Sequence, residues 1–438
     1  MDPLLGLRVQ LAMAPQTSVA LQQQLGVSQP TASRMLARLG VEALRMGKGR
    51  SARYLLSRSV DGVGSEVPVY QVDSSGDAAR VATLRPVLRR GFLLETQALV
   101  ALSVEDDGLY DQGLPFFLSD LRPQGFLGRQ FSRANPGLGL PDELNRWTDD
   151  DVLRSLVLRG EDFPGNLLLG DAFDRWATLR PAPIPRASRA RAYPQLAEQA
   201  IAGGLPGSSA GGEQPKFVVL VAGRSGPQWL LVKFSPRMGS AVGRRWADLL
   251  VLEHLALEAM RAVGRPAAIT TLHEAGDRRF LEVVRFDRVG ARGRRGLVSL
   301  EALEHQWFGR HADWLQAAGA LQAAGRISPG DAQALRWQWL YGRLIGNTDM
   351  HFRNISFTWG DGPLLRLSPA YDMLPMRWAP VREELSVAAL EPVVARPEWA
   401  QLFSSAREAA RTFWAAAARR SELHPSMRAV ARRSLASI

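Results

Sequence analysis

Three polar residues in the C-terminal half of the chain have the order and spacing of a phosphoryl-transfer centre. Asp349 precedes Asn354 by five positions, and Asp372 follows Asn354 by eighteen. In protein kinases an aspartate meets the attacking hydroxyl, an asparagine five residues later holds magnesium, and a second aspartate bridges the metal to the β- and γ-phosphates. The spacing therefore predicts an ATP-dependent kinase that uses Mg²⁺.

Each of these residues alone is more often part of a turn or a helix cap, so the upstream sequence decides between the two interpretations. Residues 203–212 contain five glycines, which let the backbone approach a ligand and let consecutive N–H groups cradle phosphates. The segment is not a Walker A loop, because no Gly-Lys-Ser/Thr sequence ends it. A glycine-rich loop upstream of the three polar residues favours the kinase interpretation.

Two apolar strands are predicted directly after this loop, at 217–221 and 229–234. Lys233 lies near the end of the second strand and resembles the strand lysine with which kinases neutralise the α- and β-phosphates. The chain contains 51 arginines but only three lysines, at positions 48, 216 and 233. Where lysine persists in such a chain, a compact point charge is favoured over a planar guanidinium.

The next elements have the order of a kinase core. A helix with a broad apolar face is predicted over 244–263. Its Glu253 either pairs with Lys233, as in kinases, or is a surface glutamate. A strand at 280–286 lies where a kinase hinge would run, and a helix over 331–344 ends just before the Asp349 segment.

Residues 18–39 have the pattern of a helix-turn-helix. A short amphipathic helix at 18–25 is followed by a turn, and Ser28 is expected to cap a second helix at 29–39. Two short apolar segments within 43–56 flank a basic tip, which predicts a β-hairpin. The pattern is that of a winged helix, with a tip suited to phosphate contact.

The charge distribution favours DNA as the partner of this segment. Residues 1–58 have a net charge of +6, out of +11 for the whole chain, and such asymmetry points to an anionic partner. The alternative is a winged helix used for protein contact. The residues predicted to contact DNA are Gln29, Thr31, Ser33, Arg34, Lys48 and Arg50.

Composition excludes several classes of protein. The chain has 438 residues, 46% of them hydrophobic and 22% charged, with no cysteine. Disulfides and thiolate zinc sites are therefore excluded, and a cytoplasmic location is expected. No apolar stretch is long enough to span a membrane, and the six histidines show no close metal-ligand pairing.

These observations predict an α+β protein of several units. A winged helix-turn-helix is predicted at 1–60 and a mixed subdomain at 61–177. A Pro- and Arg-rich linker is expected at 178–193, a sheet-containing lobe with the glycine-rich loop at 194–290, and a mainly helical lobe at 291–438.

Five ordered motifs resemble the HipA family of serine/threonine kinases, the toxins of bacterial type II toxin–antitoxin modules. They are Ser-Ala-Gly-Gly-Glu-Gln-Pro-Lys (209–216), Leu-Val-Lys (231–233), Val-Val-Arg-Phe-Asp-Arg (283–288), Gly-Asn-Thr-Asp-Met-His-Phe-Arg-Asn (346–354) and Pro-Ala-Tyr-Asp (369–372). The resemblance covers roughly 200–380 strongly and 65–175 weakly. A helix-turn-helix fused to such a body is similar to the YjjJ-type subgroup.

The resemblance implies a role for each matched residue. Asp349 is implied as catalytic base and Asn354 and Asp372 as Mg²⁺ ligands. The implied ATP contacts are Ala210, Gly211, Gly212, Glu213, Gln214, Lys216, Lys233, Arg285, Phe286 and His351, with Arg285 and Phe286 offering hinge backbone groups to adenine. Ser209, with Ser208 adjacent, is the implied site of self-inactivating autophosphorylation.

The resemblance also bears on partners. Family targets include aminoacyl-tRNA synthetases, and the standard HipA toxin relies on a separate DNA-binding antitoxin. Three other functions stay open: a DNA-binding transcriptional regulator with an ATP-sensing kinase-like body, a small-molecule kinase with a DNA-binding head, and a metal-dependent enzyme that cleaves DNA.

Overall fold

A computed structural model of the chain confirms the predicted α+β class. It describes residues 3–96, 102, 108–202, 214–309, 311–360, 362–381, 383–394 and 396–438. No helix among these residues is both long and apolar enough to cross a membrane.

The first part of the chain, here called the N-terminal unit (residues 3–58), contains three helices and a three-stranded antiparallel sheet. The predicted helices and hairpin are present. In order, the elements are α1 (Pro3–Met13), β1 (Gln16–Thr17), α2 (Ser18–Leu25), α3 (Gln29–Leu39), β2 (Ala43–Met46) and β3 (Arg53–Leu56). In the sheet, β3 lies between β1 and β2.

Local signals fix these helices, although not always as predicted. The Thr17 hydroxyl accepts the Ala20 N–H at 3.2 Å and caps α2, and Gly26 ends α2 with a left-handed φ of 64°. Ser28 stands at the N-cap of α3, but its side chain makes no capping bond to the backbone. Its hydroxyl lies 3.0 Å from the Thr31 hydroxyl instead, so the predicted cap by the Ser28 side chain is wrong.

The middle unit (residues 63–178) consists of a five-stranded antiparallel sheet with helices. Its elements are β4 (Val67–Val72), β5 (Ala78–Val87), β6 (Gly91–Thr96), β7 (Leu109–Tyr110), α4 (Phe116–Ser119), α5 (Gly125–Ala134), α6 (Asp149–Arg159), β8 (Leu167–Leu169) and α7 (Asp171–Thr178). The strand order is β7-β6-β5-β4-β8. Thr148 and Asp151 form a reciprocal capping box at the start of α6.

The hairpin of the N-terminal unit packs on the middle unit. One apolar cluster joins the two: Leu44, Met46, Leu55, Val87 and Leu93. Arg58 makes two 2.7 Å hydrogen bonds to the Asp150 carboxylate. The two units are therefore in direct contact through an apolar patch and a bidentate ion pair.

The segment predicted as a linker, 178–193, is partly built into the fold. Ile184 pairs with the strand residue Val221, and helix α8 (Arg189–Ala202) begins inside the predicted linker. Tyr193 on this helix is fully buried. The linker prediction is therefore wrong for 189–193, because Tyr193 fills an apolar cluster that the local Pro- and Arg-rich composition did not reveal.

The sheet unit (residues 189–284) adds a four-stranded antiparallel sheet and one long helix to α8. Its elements are β9 (Lys216–Gly223), β10 (Gly226–Phe234), α9 (Ala241–Ala262), β11 (Thr270–Ala275) and β12 (Arg278–Val284), with strand order β11-β12-β10-β9. The predicted strands and helix are confirmed. Most of α9 is buried, so this helix lies in the core between the sheet and the helices that follow.

The remaining chain forms short strands and then helices, here called the helical unit (residues 288–437). The elements are β13 (Arg288–Val289), β14 (Gly293–Arg294), β15 (Gly296–Ser299), α10 (Leu300–Trp307), α11 (Trp314–Ala323), α12 (Pro329–Leu344), β16 (Ser356–Trp359), β17 (Arg366–Leu367), α13 (Ala400–Arg419) and α14 (Pro425–Ser437). One large apolar core joins the middle unit, α9 and this unit.

Candidate active site

The strand lysine and the helix glutamate form the predicted ion pair. Lys233 lies on β10, between β9 and β12, and its side chain is 4% exposed. Its Nζ is 2.6 and 2.8 Å from the two carboxylate oxygens of Glu253, which is fully buried in the middle of α9. Of the two alternatives for Glu253, the pairing with Lys233 is therefore confirmed.

Asp372, whose side chain is 30% exposed, completes a charged triad with these two buried residues. Its carboxylate accepts a hydrogen bond from Lys233 Nζ. Its backbone adopts a left-handed φ of 51°, a conformation that a residue other than glycine seldom adopts outside functional or strained sites. The three residues come from a strand, a helix and a loop that are far apart in sequence, and the fold joins them at one point.

The charges of the triad change the acidity of its members. Burial by itself would lower the pKa of Lys233, but Asp372 and Glu253 outweigh burial and raise that pKa above its ordinary value. Burial would raise the pKa of Asp372, but Lys233 and Lys216 outweigh it and lower the pKa to about 2. Lys233 is therefore a cation and Asp372 an anion at neutral pH.

The loop with Asp349 is hydrogen-bonded to the Asp372 segment. The Asn347 Oδ1 accepts the Asp349 N–H at 3.0 Å, and its Nδ2 lies 3.5 Å from the Asp372 carbonyl oxygen. The Asn354 Nδ2 donates to the Asp349 carbonyl at 2.7 Å. Asn347 is 2% exposed, and sequence analysis gave it no role, although it lies in the Gly-Asn-Thr-Asp motif two residues before Asp349.

Asp349 faces an open cavity. Its side chain is 52% exposed, and its Oδ1 lies 3.7 Å from the His351 Nε2. The cavity has a volume of about 600 Å³, and its lining includes Asp349, His351 and, from α12, Trp339 and Arg343. An exposed carboxylate at such a cavity can accept a proton from a bound hydroxyl. His351 also contributes to lowering the pKa of Asp372. It therefore contacts one aspartate of the site and acts electrostatically on the other.

The donor atoms near Asp372 suit magnesium. Because the Asn354 Nδ2 is used by the Asp349 carbonyl, its Oδ1 is the atom of that amide left to bind a cation. An amide oxygen and a carboxylate are hard ligands, and Mg²⁺ takes only one or two protein groups beside water and substrate phosphates. Among the described residues no cluster of three or more His, Cys, Asp or Glu side chains could hold a metal. The chemistry of the Asn354 amide oxygen and the Asp372 carboxylate fits this ion.

Six of the predicted nucleotide-loop residues lie outside the described residues: Ser208, Ser209, Ala210, Gly211, Gly212 and Glu213. The next two predicted residues are described. Gln214 is 9% exposed, and its buried Nε2 has no hydrogen-bond partner in the part of the chain that the structure describes. Lys216 pairs with Lys233 across β9 and β10, and its charge helps to lower the pKa of Asp372.

The predicted hinge residues, Arg285 and Phe286, differ in the backbone groups that they leave free. The strand β12 ends at Val284, and the N–H of Arg285 donates to the Trp229 carbonyl at 3.0 Å. That N–H is therefore not available to adenine. The Phe286 N–H has no hydrogen-bond partner among the described residues, and the Phe286 ring lies 5.7 Å from the Tyr371 ring, so Phe286 keeps a free donor and an aromatic face.

The side chain of Arg285 joins this segment to the middle unit. Arg285 donates to Asp162 at 3.0 Å and to both oxygens of Asp287 at 3.0 and 2.9 Å. Asp287 accepts the Gly165 N–H at 3.1 Å, and Arg288 donates to the Gly165 carbonyl at 2.9 Å. Burial would raise the pKa of Asp287, but Arg285 and Arg288 hold it well below its usual range. Sequence analysis did not assign Asp162 or Asp287.

The residues predicted to contact DNA lie on α3 and on the hairpin tip of the N-terminal unit. Four are exposed: Gln29, Ser33, Arg34 and Lys48. Thr31 is half-buried, and its hydroxyl is shared with Ser28 and with an Arg34 N–H 3.4 Å away. The side chain of Arg50 lies outside the described part of the chain. The α3 face is therefore open to a partner, with Thr31 turned towards its own helix start.

Comparison with known proteins adds to this geometry. Two family profiles match the chain: YjjJ-like toxin, middle domain, over residues 63–177, and HipA-like C-terminal domain over residues 208–437. Toxin YjjJ of Escherichia coli (strain K12) is 36% identical over 430 residues, which cover 96% of this chain and 94% of that protein.

A solved structure has a similar fold. A chain from the complex of the Shewanella oneidensis MR-1 toxin–antitoxin proteins HipA and HipB with operator DNA matches with a TM-score of 0.55 and 17% identity. The match covers 84% of this chain and 96% of that chain. At this level of identity the likeness shows the fold alone.

Proposed function

We propose that this chain, which belongs to the HipA-like toxin family in its YjjJ-type branch, is an ATP- and magnesium-dependent serine/threonine protein kinase. The observation that carries the proposal is the charged triad, in which the buried Lys233 Nζ contacts the buried Glu253 at 2.6 Å and also the partly exposed Asp372. A cation held between two carboxylates is costly to bury. Such an arrangement is expected where a bound polyphosphate replaces one of the two carboxylates as the partner of Lys233.

In this mechanism the protein mainly positions charges. Glu253 holds Lys233 in place, so that Nζ would bind the α- and β-phosphates of ATP. Mg²⁺ bound by Asn354 and Asp372 would neutralise the β- and γ-phosphate oxygens. The free N–H of Phe286 is the hinge donor that remains for adenine, and the Gln214 amide is a further donor towards the nucleotide.

Asp349 acts on the acceptor. The hydroxyl of a serine or threonine enters the cavity and passes its proton to the Asp349 carboxylate. Its oxygen forms a bond to the γ-phosphorus, while the bond from that phosphorus to the β,γ-bridging oxygen breaks and ADP leaves. Asn347 fixes the Asp349 backbone, so it is a positioning residue for the base.

The test is intact-protein mass after incubation with ATP and Mg²⁺, with the recombinant protein shown to be unphosphorylated beforehand. Wild type should gain one or more phosphates at Ser208 or Ser209, and Asp349→Asn should gain none while it still binds ATP. Phosphate transfer by Asp349→Asn would refute the role of the base. Absence of transfer in wild type with ATP bound would favour the ATP-sensing transcriptional regulator or a kinase that acts only on an external substrate.

A second function, DNA binding for autoregulation, is favoured by the N-terminal unit. Its helices, its three-stranded sheet and the exposed face of α3 fit a winged helix-turn-helix, and Arg34 and Lys48 are exposed there. An antitoxin partner and a cytoplasmic, DNA-associated location accord with this proposal. A protein substrate, such as an aminoacyl-tRNA synthetase, rests on family resemblance. Lack of DNA binding at low salt would favour a protein-contact role for this unit.

A further inference from the structure

The cavity beside Asp349 is lined by an arginine, Arg343, that phosphate transfer to a hydroxyl does not require. Its volume is about 600 Å³, so it is about 10 Å across, a distance that about three residues of extended chain span. Asp349 lies in the lining together with Arg343, from the last turn of α12. A segment with its hydroxyl at Asp349 would thus bring a residue two or three positions away to Arg343.

Arg343 forms an ion pair with one exposed carboxylate. Its Nη2 lies 3.5 Å from Glu391, and this is the only side-chain partner of Arg343 among the described residues. Glu391 also accepts a 2.6 Å hydrogen bond from Arg377. The Glu391 side chain is 56% exposed, whereas that of Arg377 is 22% exposed. The two arginines therefore form a cationic pair, and the carboxylate between them faces solvent.

Glu391 belongs to a segment that lies along the site without a helix or strand in its described residues 383–394. The Trp378 indole N–H donates to the Ala388 carbonyl at 3.0 Å, and the Arg377 Nε donates to the Ala389 carbonyl at 2.5 Å. Leu390 packs against Gly346, at the start of the Asp349 loop. Backbone carbonyls of this segment thus accept hydrogen bonds from residues 377 and 378, and the Glu391 carboxylate contacts both arginines.

The carboxylate on the opposite side of the cavity is less available. Asp313 lines the cavity, but its Oδ1 accepts the N–H groups of Leu315 and Gln316, both at 3.0 Å, at the start of α11. Its charge is thus partly balanced by the helix N-terminus. An exposed ion pair such as Arg343–Glu391 contributes only about 0–1 kcal/mol, so another carboxylate can replace Glu391 at little cost.

We propose that Arg343 and Arg377 select a protein acceptor that has an Asp or Glu two or three residues from the phosphorylated hydroxyl. Glu391 is the ion-pair partner of both arginines until the acidic residue of the acceptor replaces it. This inference rests on the proposed kinase function for the position of the hydroxyl. It names a substrate class, an acidic serine- or threonine-containing segment, and two specificity-determining residues outside the transfer machinery.

The test is binding without phosphate transfer, so that it does not depend on catalysis. Two fluorescein-labelled peptides, with a serine followed three residues later by Glu or by Gln, are titrated by fluorescence anisotropy. The protein is saturated with a non-hydrolysable ATP analogue and Mg²⁺. Wild type should bind the Glu peptide up to about fivefold more tightly than the Gln peptide, the preference that an exposed ion pair can supply.

Three variants test whether the preference for the Glu peptide depends on Arg343 itself or only on the net charge of the protein. Arg343→Gln should bind the two peptides within about twofold of each other, and Glu391→Gln should bind the Glu peptide more tightly than wild type does. Arg336→Gln is the matched control, because Arg336 lies on the same helix and donates to Gln322 at 3.1 Å. It should keep the wild-type preference.

Equal binding of the two peptides by wild type, no binding of either, or an unchanged preference in Arg343→Gln would overturn the inference. Displacement of the bound Glu peptide by a single-stranded oligonucleotide, in wild type and equally in Lys48→Ala, would overturn the assignment to a protein acceptor. If the preference is found but wild type transfers phosphate from ATP neither to itself nor to the Glu peptide, the proposed kinase function fails while the acidic-segment site stands.

Discussion

Replacing Lys233 with methionine should destabilise the protein strongly, because it leaves two carboxylates without their cation. Lys233 Nζ lies 2.6 and 2.8 Å from the Glu253 oxygens, and the Glu253 side chain is fully buried. Breaking a buried ion pair costs about 3–5 kcal/mol, since an uncompensated charge stays buried. In a unit of about 150–250 residues each kcal/mol lowers Tm by about 2–4 °C. Lys233→Met should therefore melt about 6–20 °C below wild type at pH 8.

The loss of stability in Lys233→Met should be smaller at acid pH than at pH 8. Burial raises the pKa of Glu253 even in the presence of Lys233, and without Lys233 burial and Asp372 raise it further. Asp372 loses the main cation that lowers its pKa to about 2. A carboxyl whose pKa is higher in the folded than in the unfolded state binds protons preferentially on folding. The destabilisation of the variant is therefore complete at pH 8 and decreases as the pH falls towards 5. In wild type, the lowered pKa of Asp372 stabilises the fold above about pH 4, so both measurements lie within that window.

The assay is thermal unfolding followed by circular dichroism at pH 8 and pH 5, without nucleotide. Lys48→Met is the matched control, because it makes the same substitution at an exposed lysine and should change stability by no more than about 0.5 kcal/mol. Two results would refute the reasoning. One is a Lys233→Met variant that melts with wild type at pH 8, and the other is an equal loss at the two pH values.

Three further predictions concern the hinge, the DNA-binding face and the loop before Asp349. Asp162→Asn removes an anionic partner of Arg285, so KM for ATP should rise several-fold with kcat within about twofold; an equal fall in kcat and kcat/KM would contradict this. Lys48→Ala with Arg50→Ala should reduce the salt slope of DNA binding by about 2, since each phosphate contact contributes about 0.9, and a slope equal to wild type would remove the pair from the interface. Gly346→Ala should lower Tm and transfer together, because φ is 74° and the new Cβ would lie 2.7 Å from a tryptophan ring; wild-type melting would show that the loop can shift.

Much of the local structure was predictable from the sequence. Helices α2 and α3 have the predicted bounds, 18–25 and 29–39, because a Thr N-cap, a left-handed Gly and a Pro in the first turn mark their ends. Strand β10 and helix α9 follow from apolar runs and faces of the right period. The side chain of Ser28 shows the limit of such signals, since its hydroxyl has a neighbouring hydroxyl as an alternative partner.

The pairing of distant residues was only partly predictable. Spacing within one loop relates Asp349 to Asn354, and the structure joins them through the 2.7 Å hydrogen bond of Asn354 Nδ2 to the Asp349 carbonyl. The Lys233–Asp372 contact joins residues 139 positions apart. The residue types and the order of the motifs suggested that Lys233 and Asp372 belong to one site. The role of Glu253 could not be decided from the sequence, because a glutamate on a helix is equally suited to the surface.

The sequence by itself determined the α+β class, most elements, the family resemblance and the identity of the residues that could transfer phosphate. Only the tertiary structure decided that Glu253 is buried against Lys233, that the Arg285 N–H is taken by Trp229, and that Glu391 lies on Arg343 and Arg377. The physical reason is that caps and periodicity act over a few residues, whereas these contacts depend on how whole elements pack. Burial and hydrogen-bond partners are properties of that packing.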